Sequence, residues 1–179
     1  MNDVDLIEEV VIRNARVDFA TFRKYLHPNI KWNWFVEDLS EHLQWFYDEL
    51  LAGNSPKLLI EAPPQHGKSE AVADALAWFS GKNPALKTIF SSFSERLGVR
   101  TNLKLQKIFD SDKYKRVFPS TQINSKNSVT ISGQTLRNRE IIEFVGAGGY
   151  FRNTTVRGSV TGESMDIGVI DDPIKGRLD

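Results

Sequence analysis

The turn Ala62-Pro63-Pro64-Gln65-His66-Gly67 most limits what this 179-residue chain can become, because it sits between an apolar run and the start of a helical pattern. Before it, Leu58, Leu59 and Ile60 read as a short buried strand. After it, Val72, Ala75, Leu76 and Phe79 recur at offsets of three and four, which predicts a helix that starts at Lys68 and is stopped by Gly81, Asn83 and Pro84. A second strand over 88–93 and a helix over 95–109, entered through Ser94, repeat the unit. Alternating strands and helices predict an α/β fold with a mostly parallel central sheet flanked by helices.

The segment 62–69 matches the phosphate-binding P-loop pattern except at its first position, where Ala62 replaces glycine. A turn that opens a helix points unpaired backbone N–H groups and the positive end of the helix dipole at one spot, which suits a polyphosphate. Pro64, Gln65, His66, Gly67, Lys68 and Ser69 are therefore the candidate ATP-binding residues. Gly67 lets the main chain approach the phosphates, Lys68 brings a point charge to the β and γ oxygens, and Ser69 offers a hydroxyl to Mg2+. The His66 ring is read as a spacer.

A site of this kind also needs a carboxylate for the magnesium shell and a polar group for the attacking water. Asp171 and Asp172 follow the apolar run 167–170, so they are expected at the carboxyl end of a strand, on the sheet edge where α/β folds bind ligands and where the P-loop is also expected. Asp171 is assigned to magnesium and Asp172 to water activation. The short reach of Asp172 leaves Glu163, or a residue from outside this chain, open as the alternative base.

The rest of the chain supports one ordinary core. Residues 1–56 are expected to form a helical segment leading into an ATPase core over 57–179. Leu6, Ile7, Val10, Val11 and Val17 predict one amphipathic helix over about 5–25, and Phe35, Leu39, Leu43, Phe46 and Leu50 mark the buried stripe of another over 34–51. From Ser128 onward, strand-like pieces at 129–131, 140–145 and 150–156 alternate with glycine-rich turns. Lys plus Arg and Asp plus Glu both number 23, so any nucleic-acid contact must be local rather than spread over the surface. There is no cysteine, which removes disulfides and thiolate zinc sites. The first nine residues carry four acids and lack a signal-peptide pattern, and no stretch has the composition of a membrane span, so a cytoplasmic protein is expected.

Taken together, Glu61 through Ser69, the run Ser91-Ser92-Phe93-Ser94 leading into a basic helix, and the run from Thr154 through Gly176 that contains Thr161-Gly162-Glu163 and Asp171-Asp172-Pro173 resemble the large terminase subunit of tailed phages. The similarity covers roughly Asp18 to Gly176. It implies an ASCE-type P-loop NTPase using ATP and Mg2+, with Asp171 at a Walker B strand. It further implies a homo-oligomeric ring on a portal protein, a small terminase partner, and translocation of double-stranded DNA into a procapsid in the host cytoplasm. Relatives of that kind continue into a coupling segment and a nuclease domain, and this chain stops at Asp179, so those parts are expected to be absent. Gln65 stands where many such proteins have an arginine, which makes Arg157 a candidate finger toward a neighbouring subunit, with a plain surface arginine as the other reading. A helicase-like P-loop ATPase and a remnant that binds nucleotide without turnover are the alternatives.

Two further features stay open at this level. Arg96, Arg100, Lys104 and Lys107 fall within about 80 degrees of helix arc, either as a DNA-tracking stripe or as a solvated face. Trp32, Trp34 and Trp45 either stack on a base or fill the core, the second being the commoner role of aromatics at helical spacing.

Overall fold

The computed structural model describes residues 3–124, 136–158 and 162–174. In chain order its elements are α1 (Asp3–Val17), α2 (Phe19–Leu26), α3 (Trp34–Leu51), α4 (Lys68–Lys82), β1 (Lys87–Ser92), α5 (Glu95–Asp110), α6 (Asp112–Val117), β2 (Ile141–Glu143), β3 (Tyr150–Thr155) and β4 (Ile167–Asp171). They divide into two compact units, Met1–Lys82 with Ser111–Pro119, and Asn83–Asp110 with Ser120–Asp179. The strand expected at 129–131 lies outside the described residues. Among the described residues no helix is long and apolar enough to cross a membrane.

The first unit is helical. The single helix expected over 5–25 is two helices, because Asp18 adopts an extended backbone and its carboxylate takes the Thr21 N–H at 2.8 Å. Aspartate competes for nearby backbone donors in this way, and periodicity is blind to it. α3 spans the expected residues with Asn33 as its N-cap. Its buried side carries Leu39, Ser40, Leu43 and Tyr47, while Phe35, Phe46 and Leu50 are only half-buried. α4 is buried continuously from Ala73 to Gly81, the pattern of a helix enclosed on all sides rather than lying on a surface. Aromatic rings surround it. Tyr47 stacks on Phe79 at 4.9 Å, Phe19 tilts against Trp78 at 5.7 Å, and Phe22 meets Tyr114 edge-on at 6.2 Å.

Two of the polar tips are satisfied within this core, Trp78 Nε1 donating to the Ala15 carbonyl and the Tyr114 hydroxyl to that of Ala77, each at 2.9 Å. Burial, helped by the neighbouring Asp48 charge, pushes the Tyr47 phenol up to about 12. One ion pair is built into this core. Asp74 is fully buried and accepts from Arg23 Nε at 3.1 Å, lies 2.9 Å from His27 Nε2, and the same guanidinium donates to Ser40 Oγ. Gly81 is required at its position, because a Cβ there would lie 2.3 Å from the Phe118 ring.

The second unit is a four-stranded open sheet in the order β2-β3-β1-β4, with α5 packed across β3, β1 and β2. β1 pairs in parallel with β3 and β4, and β2 pairs antiparallel with β3. The sheet is therefore mixed rather than mostly parallel. The reason is chain length: β2 ends at Glu143 and β3 begins at Tyr150, and so short a link permits a hairpin but no parallel crossover. Gly146 and Gly148, at φ of +71° and +77°, supply its left-handed turn positions.

Gly98 lets α5 approach β3, since a Cβ there would come 2.9 Å from that of Asn153. Beneath this helix runs a polar chain. Arg137, 3% exposed, pairs with Asp110 and donates to Gln106 Oε1 at 2.9 Å and to the Asn124 carbonyl at 2.8 Å, while Gln106 donates to Asn102 at 2.7 Å. Every buried donor named here has an acceptor, as a buried network must.

The strand expected at 58–60 does not form. Residues 54–63 carry no helix or strand assignment, Leu59 is 83% exposed, and the sheet has no ladder involving them. An apolar run supplies composition, but a strand exists only by pairing, and the sequence of one run does not name its neighbour.

Candidate functional site

The candidate residues occupy two places, one in each unit. In the first unit the loop 62–67 delivers the chain into α4. Gly67 has φ +80°, which glycine adopts without cost, and Gln65 has φ +66°, which a side chain disfavours. The first helical bond of α4 runs from the Ala71 N–H to the Gly67 carbonyl at 2.9 Å. The N–H groups of Lys68 and Ser69 lie ahead of that bond and have no carbonyl to reach within the helix. Lys68 folds back over the loop and donates from Nζ to the Ala62 carbonyl at 2.7 Å. Ser69 is exposed.

A Cβ built on Gly67 meets no protein atom within 4 Å, so glycine is demanded there by backbone conformation and not by crowding. Pro64 and Gln65 are exposed on the turn. The His66 ring is tied down, with Nδ1 3.0 Å from the Pro64 carbonyl and its face met edge-on by Phe35 at 6.2 Å. Sequence reasoning missed that contact, because helical spacing marks Phe35 as apolar without saying that it braces a loop.

In the second unit Asp171 closes β4 in register with Ser92 of β1, and Ser92 is in register with Thr155 of β3. Three parallel strands thus end side by side, and Asp171, Asp172 and Arg157 share this carboxyl edge. The edge is stitched by backbone bonds from the Phe93 N–H to the Asp172 carbonyl at 3.2 Å and from the Val156 N–H to the Ser92 carbonyl at 3.0 Å. Ser92 Oγ donates to the Ser94 carbonyl at 2.9 Å just before α5 begins. Asp172 is exposed and has φ +47°. Arg157 is exposed in the turn that follows β3.

Glu163 is placed differently. Its carboxylate is in an ion pair with Arg152, a mid-strand residue of β3 opposite Ile89, so it is engaged away from the strand end. Among the described residues, Gln65 and Asp172 are the two non-glycine residues in the left-handed region, and one lies in each candidate motif. Backbone strain of this kind concentrates at functional turns.

The other open features separate. Arg96, Arg100 and Lys107 are exposed along α5, and Lys104 is half-buried. Trp34 and Trp45 are 77% and 45% exposed, so neither is a core residue, and half-buried Trp32 carries the Lys24 ammonium 4.1 Å from its ring centre. Among the described residues no group of three or more histidine or acidic side chains gathers to hold a metal. Comparison of the chain with family models, with curated proteins and with solved structures finds no match.

Proposed function

We propose that this chain is the ATP-binding part of a P-loop NTPase, of the kind that powers DNA packaging as a phage terminase large subunit. The observation that carries the reading is the loop 62–69, in which a left-handed Gly67 opens a helix at Lys68 and the lysine already lies across the loop's own carbonyl. In this reading the N–H groups of His66 through Ser69, with Pro64 and Gln65 shaping the turn, cradle the polyphosphate. Lys68 exchanges the Ala62 carbonyl for phosphate oxygen, a stronger charge-assisted partner.

Ser69 and Asp171 are the residues assigned to Mg2+, which when bound neutralises phosphate charge. That no acidic cluster gathers among the described residues is compatible with this assignment, since such a metal is held largely by phosphate and water. Asp172 is assigned to orient the attacking water. The engagement of Glu163 by Arg152 favours Asp172 over Glu163 for that role. Arg157, exposed at the same strand edge as Asp172, is assigned as the finger offered to a neighbouring copy. Double-stranded DNA, a small terminase subunit, a portal protein and a homo-oligomeric ring in the host cytoplasm belong to this proposal through the resemblance.

The test is titration of Mg·ATP into the parent chain, Lys68→Ala and Lys57→Ala. Loss of the lysine should weaken binding about 10- to 100-fold, the size of a lost charge-assisted contact. The exposed Lys57 substitution should leave it unchanged. Equal affinity in Lys68→Ala and the parent would falsify the reading.

A further inference from the structure

The charge of the chain is balanced overall, yet α3 is one-sided. Its 18 residues include Glu37, Asp38, Glu41, Asp48 and Glu49 and no lysine or arginine. At about 100 degrees per residue these acids, with His42 and Trp45, share about 140 degrees of arc. The buried residues Leu39, Ser40, Leu43 and Tyr47 take the opposite side. Trp45 stands inside the acidic arc, 45% exposed, and two shallow hollows meet at it. One of about 460 Å³ is lined by Glu41, His42 and Trp45, and the other, of about 330 Å³, includes Asp18, Glu41, Trp45 and Asp48 in its walls.

An ordinary solvated helix face has no need of an indole at its centre. Two of the other three tryptophans carry one of the chain's own cations. Lys24 Nζ lies 4.1 Å from the Trp32 ring centre, and Lys82 Nζ lies 4.5 Å from that of Trp78. Among the described residues Trp45 has no such cation. Its ring face and the carboxylates of Glu41 and Asp48 are the complement of a guanidinium or ammonium group, which gains from a π face and from carboxylate partners together. The same five acids repel a phosphate backbone, so the face is unsuited to nucleic acid.

We infer that the outer face of α3 is a docking surface for an arginine- or lysine-bearing segment of a partner protein, with one cationic side chain seated on Trp45 between Glu41 and Asp48. This does not depend on the nucleotide reading, because none of these residues belongs to the phosphate loop or the acidic strand end.

The experiment uses the full chain and an octa-arginine peptide as probe, with octa-glutamate and a DNA duplex as controls. Binding is followed through the tryptophan indole NMR signals, with that of Trp45 identified by its loss in Trp45→Phe. Octa-arginine should move the Trp45 signal and leave that of Trp78 in place. Its affinity should fall about ten-fold in Trp45→Ala and about five-fold in Glu41→Gln with Asp48→Asn. Glu140→Gln, off this face, should change nothing. The isosteric double variant keeps the test valid if the alanine variant is unstable. Affinity unchanged in both α3 variants overturns the proposal. So does a Trp45 signal that moves with protein concentration alone, which would make a second copy the occupant, or one that moves equally with duplex DNA.

Discussion

The loop 62–67 and the acidic strand end each hold one non-glycine residue in the left-handed region, Gln65 and Asp172, but they are supported differently. The loop runs into α4, a helix buried from Ala73 to Gly81, with Tyr47 and Phe19 packed on its own Phe79 and Trp78. The strand end closes β4, which among the described residues pairs with β1 alone and leaves Ile170 71% exposed. A constrained turn on an enclosed helix is held from behind. A constrained turn on an edge strand is tied to its sheet from one side, here by the Phe93 N–H to the Asp172 carbonyl and the β1 ladder. The loop geometry is therefore the more self-sufficient of the two, and variants that touch each support should separate them.

The largest effect is expected behind the loop. Trp78→Ala removes a fully buried ring and strands the Ala15 carbonyl, so it should cost about 3–5 kcal/mol in denaturant unfolding and take nucleotide binding with it. A smaller effect follows from Tyr47, whose phenol is pushed up to about 12 from an ordinary value of 10.0. A raised folded value means that the stability tied to the neutral phenol is intact below pH 10 and is lost as pH climbs from about 10 toward 12. That loss should be about 2–3 kcal/mol, read as the difference between the parent and Tyr47→Phe, which lacks the ionisation. Smallest are the turn substitutions. Gln65→Gly relieves a disfavoured backbone and should raise stability by up to about 1 kcal/mol, with a smaller gain for Asp172→Gly because aspartate tolerates this region better. A drop in stability in either variant would show that its turn is not strained and would remove that half of the comparison.

Much of this organisation is legible in the sequence where local rules decide it. The apolar period of Phe35, Leu39, Leu43, Phe46 and Leu50 gives α3, and Gly67-Lys68-Ser69 gives the start of α4. β1, β3 and β4 form close to where their apolar runs predict, and Asp171 stands at a strand end as expected. What escapes is whatever depends on a partner distant in the chain. Residues 58–60 have strand composition and no strand to pair with. The antiparallel pairing of β2 follows from the length of its link to β3 and not from its residues. The division of α1 from α2 rests on one carboxylate choosing a backbone donor. The role of Phe35 against His66 and the engagement of Glu163 by Arg152 appear only once the chain is folded.

Amide hydrogen exchange over residues 62–70, with and without saturating Mg·ATP, tests the central claim most directly. If the backbone donors of this loop grip the polyphosphate, exchange at His66 through Ser69 should slow at least about ten-fold on binding, and the slowing should vanish in Lys68→Ala. Nucleotide that binds without protecting these amides, or that protects only another part of the chain, would contradict it.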